Sequence, residues 1–365
     1  MKPRSDLCRD LNRLVWSHKR FDEALNLVRS YATFSPPGSM VLVVGASGAG
    51  KTTLLRQLQR ELAGSVDGWP SGTIPIAATP ICNDVQGLFN SKNFVLRLLE
   101  AVEHPFYGVH QRLPFSSQGI DRGRMLALEK IRLSYSEPHL RIALEKAIEY
   151  RKTRYVLLDE AQHLLKAGST LKAVDNLDCI KGLADRTGVV VILFGTFEIL
   201  PIWNRSAQLN RRLQDIVLHR YYRDDHADLV CFEQILESYS QQLPLAQGLS
   251  LRDLNEFLYN STLGIIGEVA RLVIGAYSRM VAADAGAITK NMLQAAAHSP
   301  AKLLTLERET LGGEAMLAGP PLLSNSPTPT QPQQTKGRRR GRRSPVRDPV
   351  SRRESVRLRE PGESQ

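Results

Sequence analysis

The chain has 365 residues, of which 42% are hydrophobic, and its formal net charge is +11. That composition supports a sizeable core, while no apolar run approaches the roughly 18 residues of a membrane span and the first residues lack the apolar segment of a secretory signal. Cys8, Cys82, Cys179 and Cys231 lie far apart, which excludes a C-x-x-C metal or disulfide framework. The sequence therefore predicts a cytoplasmic protein with no membrane partner.

The first 222 residues predict two parts. Residues 1–37 are predicted to form an N-terminal helical segment. Apolar residues recur at helical spacing between about residues 6 and 34, which predicts two short helices. Residues 38–222 then alternate apolar runs with helical stretches, which is typical of a parallel α/β sheet flanked by helices. The predicted strands cover residues 40–44, 73–78, 155–158, 189–194 and 215–219.

The first predicted strand leads into a glycine-rich loop and then a helical run. The loop fits the pattern G-x-x-x-x-G-K-[ST], in which backbone N–H groups turn towards an anion at the positive end of the next helix. The lysine neutralises β/γ-phosphate charge and the following hydroxyl ligates Mg²⁺. The alternative is a glycine turn that precedes a lysine by chance, and the flanking strand and helix disfavour it. The predicted ligands of ATP and Mg²⁺ here are Gly45, Ala46, Ser47, Gly48, Ala49, Gly50, Lys51, Thr52 and Thr53.

The third predicted strand ends in two acidic residues, Asp159 and Glu160. In phosphate-loop enzymes an acid at this place holds Mg²⁺, together with the loop hydroxyl of Thr52. The adjacent glutamate is placed to polarise an attacking water as a general base. The same residues would also suit a strand that runs into a helix N-terminus. The phosphate loop earlier in the chain favours the catalytic interpretation, with Asp159 as metal ligand and Glu160 as base.

Four further residues are weaker candidates for the same reaction. Thr196 follows the fourth predicted strand and could sense the triphosphate and orient water, or merely cap the next helix. Arg211 and Arg212 precede the last strand, where a cation can reach the γ-phosphate of a neighbouring subunit; Arg212 is favoured, and a solvated helix end is the alternative. Arg271 could bridge a lid to bound nucleotide or be an exposed helical arginine.

The last third of the chain changes character twice. Residues 223–317 lack predicted strands, and heptad-like apolar spacing predicts a small helical lid domain. Residues 318–365 exchange apolar residues for Pro, Ser, Thr, Gln and Arg, which predicts a disordered basic tail. Residues 336–365 contain eleven Lys/Arg and four Asp/Glu, so they carry +7 of the total charge. Such a balance suggests a polyanionic partner such as DNA but does not establish one.

The order of these elements resembles the AAA+ ATPases: phosphate loop, Asp-Glu strand, polar residue, arginine pair, then a helical segment with Gly-x-x-Gly-x-x-x-Arg. Over about residues 20–280, four local features resemble the transposition regulators TnsC and TniB. These features are Phe21-Asp22-Glu23-Ala24-Leu25, Asp159-Glu160-Ala161-Gln162-His163, Gln208-Leu209-Asn210-Arg211-Arg212 and Gly264-Ile265-Ile266-Gly267-Glu268-Val269.

The resemblance implies an ATPase that assembles on double-stranded DNA as a homo-oligomeric ring or filament. It would link a target selector of the TnsD/TniQ type to a transposase of the TnsB/TniA type, and ATP hydrolysis would disassemble it. Basic residues on pore-facing loops would track DNA phosphates, although any surface helix carries such charges. The candidates are Lys92, Arg97, Arg122 and Arg124. Three alternatives stay open: an ATP-gated DNA-binding scaffold, a helicase loader or initiator-like ATPase, and an ExeA-like ATPase.

Overall fold

A computed structural model describes residues 18–65, 68–104, 135–167, 169–203 and 213–318. Within them, five strands form one parallel sheet in the order β2-β3-β4-β1-β5. This confirms the predicted parallel α/β sheet, and every strand overlaps a predicted one. The strands are β1 Met40–Gly45, β2 Ile76–Pro80, β3 Tyr155–Asp159, β4 Val190–Gly195 and β5 Leu213–Leu218.

The bounds of the second and fifth strands differ from the prediction. β2 begins at Ile76 instead of residue 73, because the Thr73 N–H donates to Pro70 O in a turn (3.0 Å) and the next residues include Pro75, which has no N–H for a ladder. β5 begins two residues earlier than predicted and ends at Leu218. Neither shift changes which strand ends meet at the carboxyl edge of the sheet.

Helices flank the sheet and follow it. α1 is Lys19–Phe34, α2 is Lys51–Ala63, α3 is Ser91–Ala101, α4 is Glu137–Arg151, α5 is Thr170–Thr187 and α6 is Leu200–Trp203. After β5 come α7 His226–Gln242, α8 Asn255–Thr262, α9 Ile266–Ala282, α10 Lys290–Ala296 and α11 Pro300–Ala318. Of the two helices predicted before the first strand, the structure describes one, α1, and residues 1–17 lie outside the described part. Residues 319–365 of the predicted tail lie outside it as well.

The described residues contain two hydrophobic clusters. The larger one surrounds the sheet, in which every residue of β1 and β4 is buried. The second lies among α7 to α10 and is centred on Tyr221, Phe232, Leu272 and Tyr277, as expected of a small helical lid. The predicted domain bounds themselves remain a proposal.

The last described helix, α11, packs on the sheet side and not in the lid cluster. Leu306 belongs to the larger cluster, and a Cβ built on Gly313 would lie 2.1 Å from Phe197 Cγ. Arg220 Nε donates to Glu314 Oε1 at 2.8 Å. The helix therefore lies against the segment that follows β4.

The N-terminus of α1 is tied to the lid by a buried ion pair. Arg20 NH2 donates to Asp228 Oδ2 at 2.8 Å, and Asp228 on α7 is fully buried. The same oxygen accepts the Tyr222 N–H at 3.1 Å. His18, which caps α1, lies 2.9 Å from the Tyr221 hydroxyl, and burial lowers the pKa of His18 to about 4. These contacts fix α1 against the lid next to the connection from β5.

Among the described residues, no single helix is long and apolar enough to cross a membrane. One pair of helices, α8 with α9, passes a test of length and composition when the two are taken together, and this pair is bent by 112°.

Candidate functional site

The phosphate loop joins β1 to α2 in the conformation that its glycines allow. Gly48 (φ 79°) and Gly50 (φ 98°) have the left-handed backbone that favours glycine. A Cβ at Gly45 would lie 2.8 Å from Leu218 O of β5. The first turn of α2 contains no acidic residue, and its first N–H groups have no helical acceptor. The loop therefore offers donors to an anion.

The lysine of the loop is held in place by backbone carbonyls. Lys51 Nζ donates to Gly45 O at 3.0 Å and to Ala46 O at 2.7 Å. Burial lowers the pKa of Lys51 to about 8, although the charges of Glu160 and Asp159 act to raise it. A bound phosphate would add negative charge beside the ammonium group and so favour its charged form.

The two acidic residues at the end of β3 lie beside the loop. Thr52 Oγ1 donates to Asp159 Oδ2 at 2.8 Å, and Asp159 Oδ1 accepts the Glu160 N–H at 2.9 Å. Glu160 has left-handed backbone angles (φ 58°, ψ 41°), which are uncommon for a residue with a side chain. The chain turns sharply there, and the short 3₁₀ helix Ala161–Leu165 follows.

The donor set fits a magnesium ion that arrives with a nucleotide. No group of three or more His, Cys, Asp or Glu residues in the described part of the chain could hold a metal. Thr52 and Asp159 supply two hard oxygen ligands, and Mg²⁺ is usually held by one or two protein ligands plus substrate phosphates and water. Mg²⁺ would supply charge neutralisation on the phosphates.

Thr196 lies immediately after β4, at the same edge of the sheet. Its N–H donates to Gln162 Oε1 at 3.1 Å. Its hydroxyl Oγ1 is buried and has no hydrogen-bond partner among the described residues. A buried hydroxyl without a partner is costly unless a ligand satisfies it, so Thr196 fits a contact with a bound phosphate better than a helix cap. The side chain makes no cap hydrogen bond.

The lid reaches the phosphate loop through the first turn of α9. A Cβ built on Gly267 would lie 2.0 Å from Gly48 O. Arg271 does not point freely into solvent: its Nε donates to Glu268 Oε2 at 2.6 Å and its NH1 to Ala296 O at 3.2 Å. Arg271 NH2 is buried without a partner in the described residues. His298 Nε2 lies 2.7 Å from the same Glu268 oxygen.

The remaining predicted residues divide into two groups. Arg122, Arg124, Arg211 and Arg212 lie outside the described residues, so their predicted roles remain predictions. Lys92 and Arg97 lie on α3, Lys92 half-buried and Arg97 exposed.

Two sets of contacts at this site were not predicted from the sequence. Gln162 appeared only inside a resemblance motif, although a polar residue between the buried Ala161 and Leu164 is a signal in itself. The contact of His298 with Glu268, the residue that also holds Arg271, joins positions far apart in the sequence and gives no local signal.

The geometry can be set beside known proteins. Residues 37–202 match the model of a family described as AAA domain. The matched segment is similar to AAA domains. It runs from before β1 to α6 and includes the phosphate loop, Asp159, Glu160 and Thr196. Its AAA+ phosphate-loop fold is the one expected from the sequence.

Similarity to solved structures is of low sequence identity. A Walker-type ATPase of Pyrococcus abyssi is 17% identical, with 82% of this chain and 74% of that chain covered and a TM-score of 0.49. The ADP form of the ORC2 protein of Aeropyrum pernix is 15% identical, with 75% of this chain and 67% of that chain covered and a TM-score of 0.45. A structure of Drosophila ORC bound to DNA is 14% identical, with 83% of this chain and 68% of that chain covered and a TM-score of 0.46. No curated protein sequence matches the chain significantly.

Proposed function

We propose that the chain is a magnesium-dependent ATPase whose hydrolysis controls an assembly on DNA. The observation that carries the enzymatic part is the convergence of Lys51, Thr52, Asp159 and Glu160 at the carboxyl edge of the sheet, with Thr52 and Asp159 joined at 2.8 Å. A cation, a metal-binding pair and a carboxylate base are the parts that phosphoryl transfer to water requires.

Each residue has a distinct role in this proposal. Lys51 leaves the carbonyls of Gly45 and Ala46 and neutralises the β/γ-phosphates. Thr52 and Asp159 hold Mg²⁺. Glu160 accepts a proton from the attacking water while the water oxygen bonds to the γ-phosphorus. The bond between the γ-phosphorus and the oxygen that bridges it to the β-phosphate breaks, which yields ADP and phosphate.

A second subunit completes the site. Arg212, or Arg211 beside it, donates to the γ-phosphate of a neighbouring copy and stabilises the charge of the transition state. The γ-phosphate then joins two chains, so the homo-oligomer binds ATP more tightly than the monomer does. Cleavage of that phosphate removes the link and weakens the assembly.

The finer proposal is a regulator of DNA transposition of the TnsC/TniB kind. It is supported by the four resembling segments over about residues 20–280. The assembly would form on double-stranded DNA and connect a target selector to a transposase. Lys92 and Arg97 on α3 are the described candidates for DNA phosphate contacts.

The test is assembly on duplex DNA with ATP, measured by electron microscopy and sedimentation. Wild-type protein is expected to assemble with ATP and to dissociate as phosphate is released. Glu160→Gln is expected to assemble and stay on the DNA, and Lys51→Ala not to assemble. Assembly that needs ATP but dissociates equally fast in Glu160→Gln would favour the scaffold alternative. Protein that stays monomeric on DNA with ATP would contradict the proposal.

The DNA and transposition parts have separate tests. If Arg97 contacts a phosphate, Arg97→Ala should reduce the slope of log K against log salt by about one, and an unchanged slope excludes the contact. Single-turnover ATP hydrolysis, measured with and without the transposase whose gene lies nearest to the gene of this chain, tests whether hydrolysis is coupled to the transposase. A rate and a disassembly that the transposase does not change would leave an ATPase without the proposed transposition role.

A further inference from the structure

Gln162 is a buried polar side chain beside the proposed base. Only 8% of the residue is exposed, and its neighbours Ala161 and Leu164 are fully buried. A buried amide needs hydrogen-bond partners on both of its ends. Both partners of Gln162 belong to the nucleotide site.

The amide joins two elements of that site. Gln162 Nε2 donates to Glu160 Oε2, and Gln162 Oε1 accepts the Thr196 N–H at 3.1 Å. One side chain therefore connects the carboxylate after β3 with the peptide after β4. The Thr196 hydroxyl is the buried oxygen without a partner described above.

The surroundings leave this amide little freedom. A Cβ at Gly195 would lie 3.3 Å from Gln162 Oε1, so the end of β4 closes over the amide. The 3₁₀ helix that carries it is anchored on two sides: His163 Nδ1 lies 2.8 Å from Ile81 O, and Asn176 Nδ2 donates to Leu164 O at 3.0 Å. A side chain fixed in this way can hold another in one orientation.

We propose that Gln162 is a positioning residue, which holds the Glu160 carboxylate and couples it to Thr196. The inference rests on the proposed ATPase function. Phosphate contact with the Thr196 hydroxyl acts on the same residue whose N–H holds Gln162. The orientation of the base therefore depends on whether the γ-phosphate is present, and Gln162 carries that dependence.

Two substitutions of similar shape separate the two bonds. Gln162→Met fills the same space and removes both hydrogen bonds. Gln162→Glu keeps an acceptor for the Thr196 N–H and removes the donor to Glu160. The matched control is Gln57→Met on α2, because Gln57 Nε2 makes the same kind of bond to Glu61 Oε1 (3.1 Å) on the protein surface.

The readouts are kcat, KM, the dissociation constant of a fluorescent ATP analogue and the melting temperature. Both Gln162 variants are expected to lower kcat by about ten- to a hundredfold with KM and nucleotide affinity within about twofold, because a displaced base costs rate and not binding. Gln57→Met is expected to match the wild type. In the Glu160→Gln background, Gln162→Met is expected to change the residual rate less than about twofold, because the residue acts through Glu160.

Three results would overturn the inference. One is a folded Gln162→Met enzyme with wild-type kcat. Another is a loss confined to KM and nucleotide affinity, which would make Gln162 a binding residue. The third is a full multiplicative loss in the Glu160→Gln background, which would show a role independent of the base. If the wild-type protein releases no phosphate from ATP, the proposed function itself fails, and the inference falls with it.

Discussion

The contact between the lid and the phosphate loop gives the sharpest structural prediction. At Gly267, in the first turn of α9, the space for a side chain is filled by the backbone of Gly48: an added Cβ would lie 2.0 Å from Gly48 O and 3.0 Å from Gly48 C. An ordinary contact begins at 3.4 Å, so the methyl group is too close by about 1.4 Å. Backbone atoms of a loop with fixed left-handed glycines cannot rotate away, so in Gly267→Ala the lid helix must retreat.

The magnitude follows from the cost of overpacking. An inserted methyl group costs about 1–3 kcal/mol where the surroundings cannot relax. If the retreat of α9 relieves that cost, closing the lid on a nucleotide restores it. The free energy of nucleotide binding is then less favourable by the same amount, which corresponds to a roughly 5- to 150-fold weaker affinity. Gly275→Ala on the same helix is the matched control, because its Cβ would meet only Ala296 Cβ at 3.3 Å and Arg279 NH1 at 3.5 Å.

The assay is titration of each variant with a fluorescent ATP analogue, with the melting temperature as a check on folding. Gly267→Ala is expected to bind at least fivefold more weakly than Gly275→Ala. Equal affinities of the two folded variants would show that nucleotide binding does not need the close contact between the lid and Gly48.

Three further predictions concern stability. Arg20→Met should lower the free energy of unfolding, measured by chemical denaturation, by about 3–5 kcal/mol, because it leaves a buried carboxylate unpaired. Arg29→Met, which breaks a half-exposed pair on the same helix, should lower it by less than about 1 kcal/mol. Similar losses in the two variants would contradict the buried pair. Because the pKa of His18 is about 4 in the folded protein and 6.5 in the unfolded chain, the unfolded chain takes up a proton at higher pH, and stability present above pH 6.5 is lost as the pH falls towards about 4. Denaturation of His18→Gln across this range should show a smaller loss of stability. An equal loss would disprove that buried, neutral His18 causes the pH dependence. Gly313→Ala should lower the free energy of unfolding, because its Cβ would overlap the Phe197 ring that packs against α11. Gly312→Ala, with open space around it, should raise the free energy of unfolding by up to about 1 kcal/mol through helix propensity, and the same sign for both would contradict the packing of α11.

The sheet and the nucleotide site were accessible from the sequence because their signals are local. Strand, glycine loop and helix follow one another within residues 40–63, and the acidic pair ends a short apolar strand. The rule that parallel strands end at one edge then brings Lys51, Asp159 and Thr196 together. The structure has all three at that edge.

What the sequence could not supply depends on contacts between distant segments. The ion pair of Arg20 with Asp228 joins residues about two hundred positions apart, and no local pattern indicates it. The packing of α11 on Phe197 depends on a glycine that looks like a helix breaker when it is read alone. The Gln162 bonds depend on the left-handed turn at Glu160, which propensity does not predict.

The role of Glu160 as catalytic base is measured by phosphate release from ATP, compared between the wild-type protein and Glu160→Gln. We expect Mg²⁺-dependent release by the wild type and a loss of about a hundredfold or more in Glu160→Gln, with ATP affinity unchanged. Glu256→Gln, at an exposed position of α8, should keep the wild-type rate. A Glu160→Gln protein that releases phosphate at the wild-type rate would show that Glu160 is not the base.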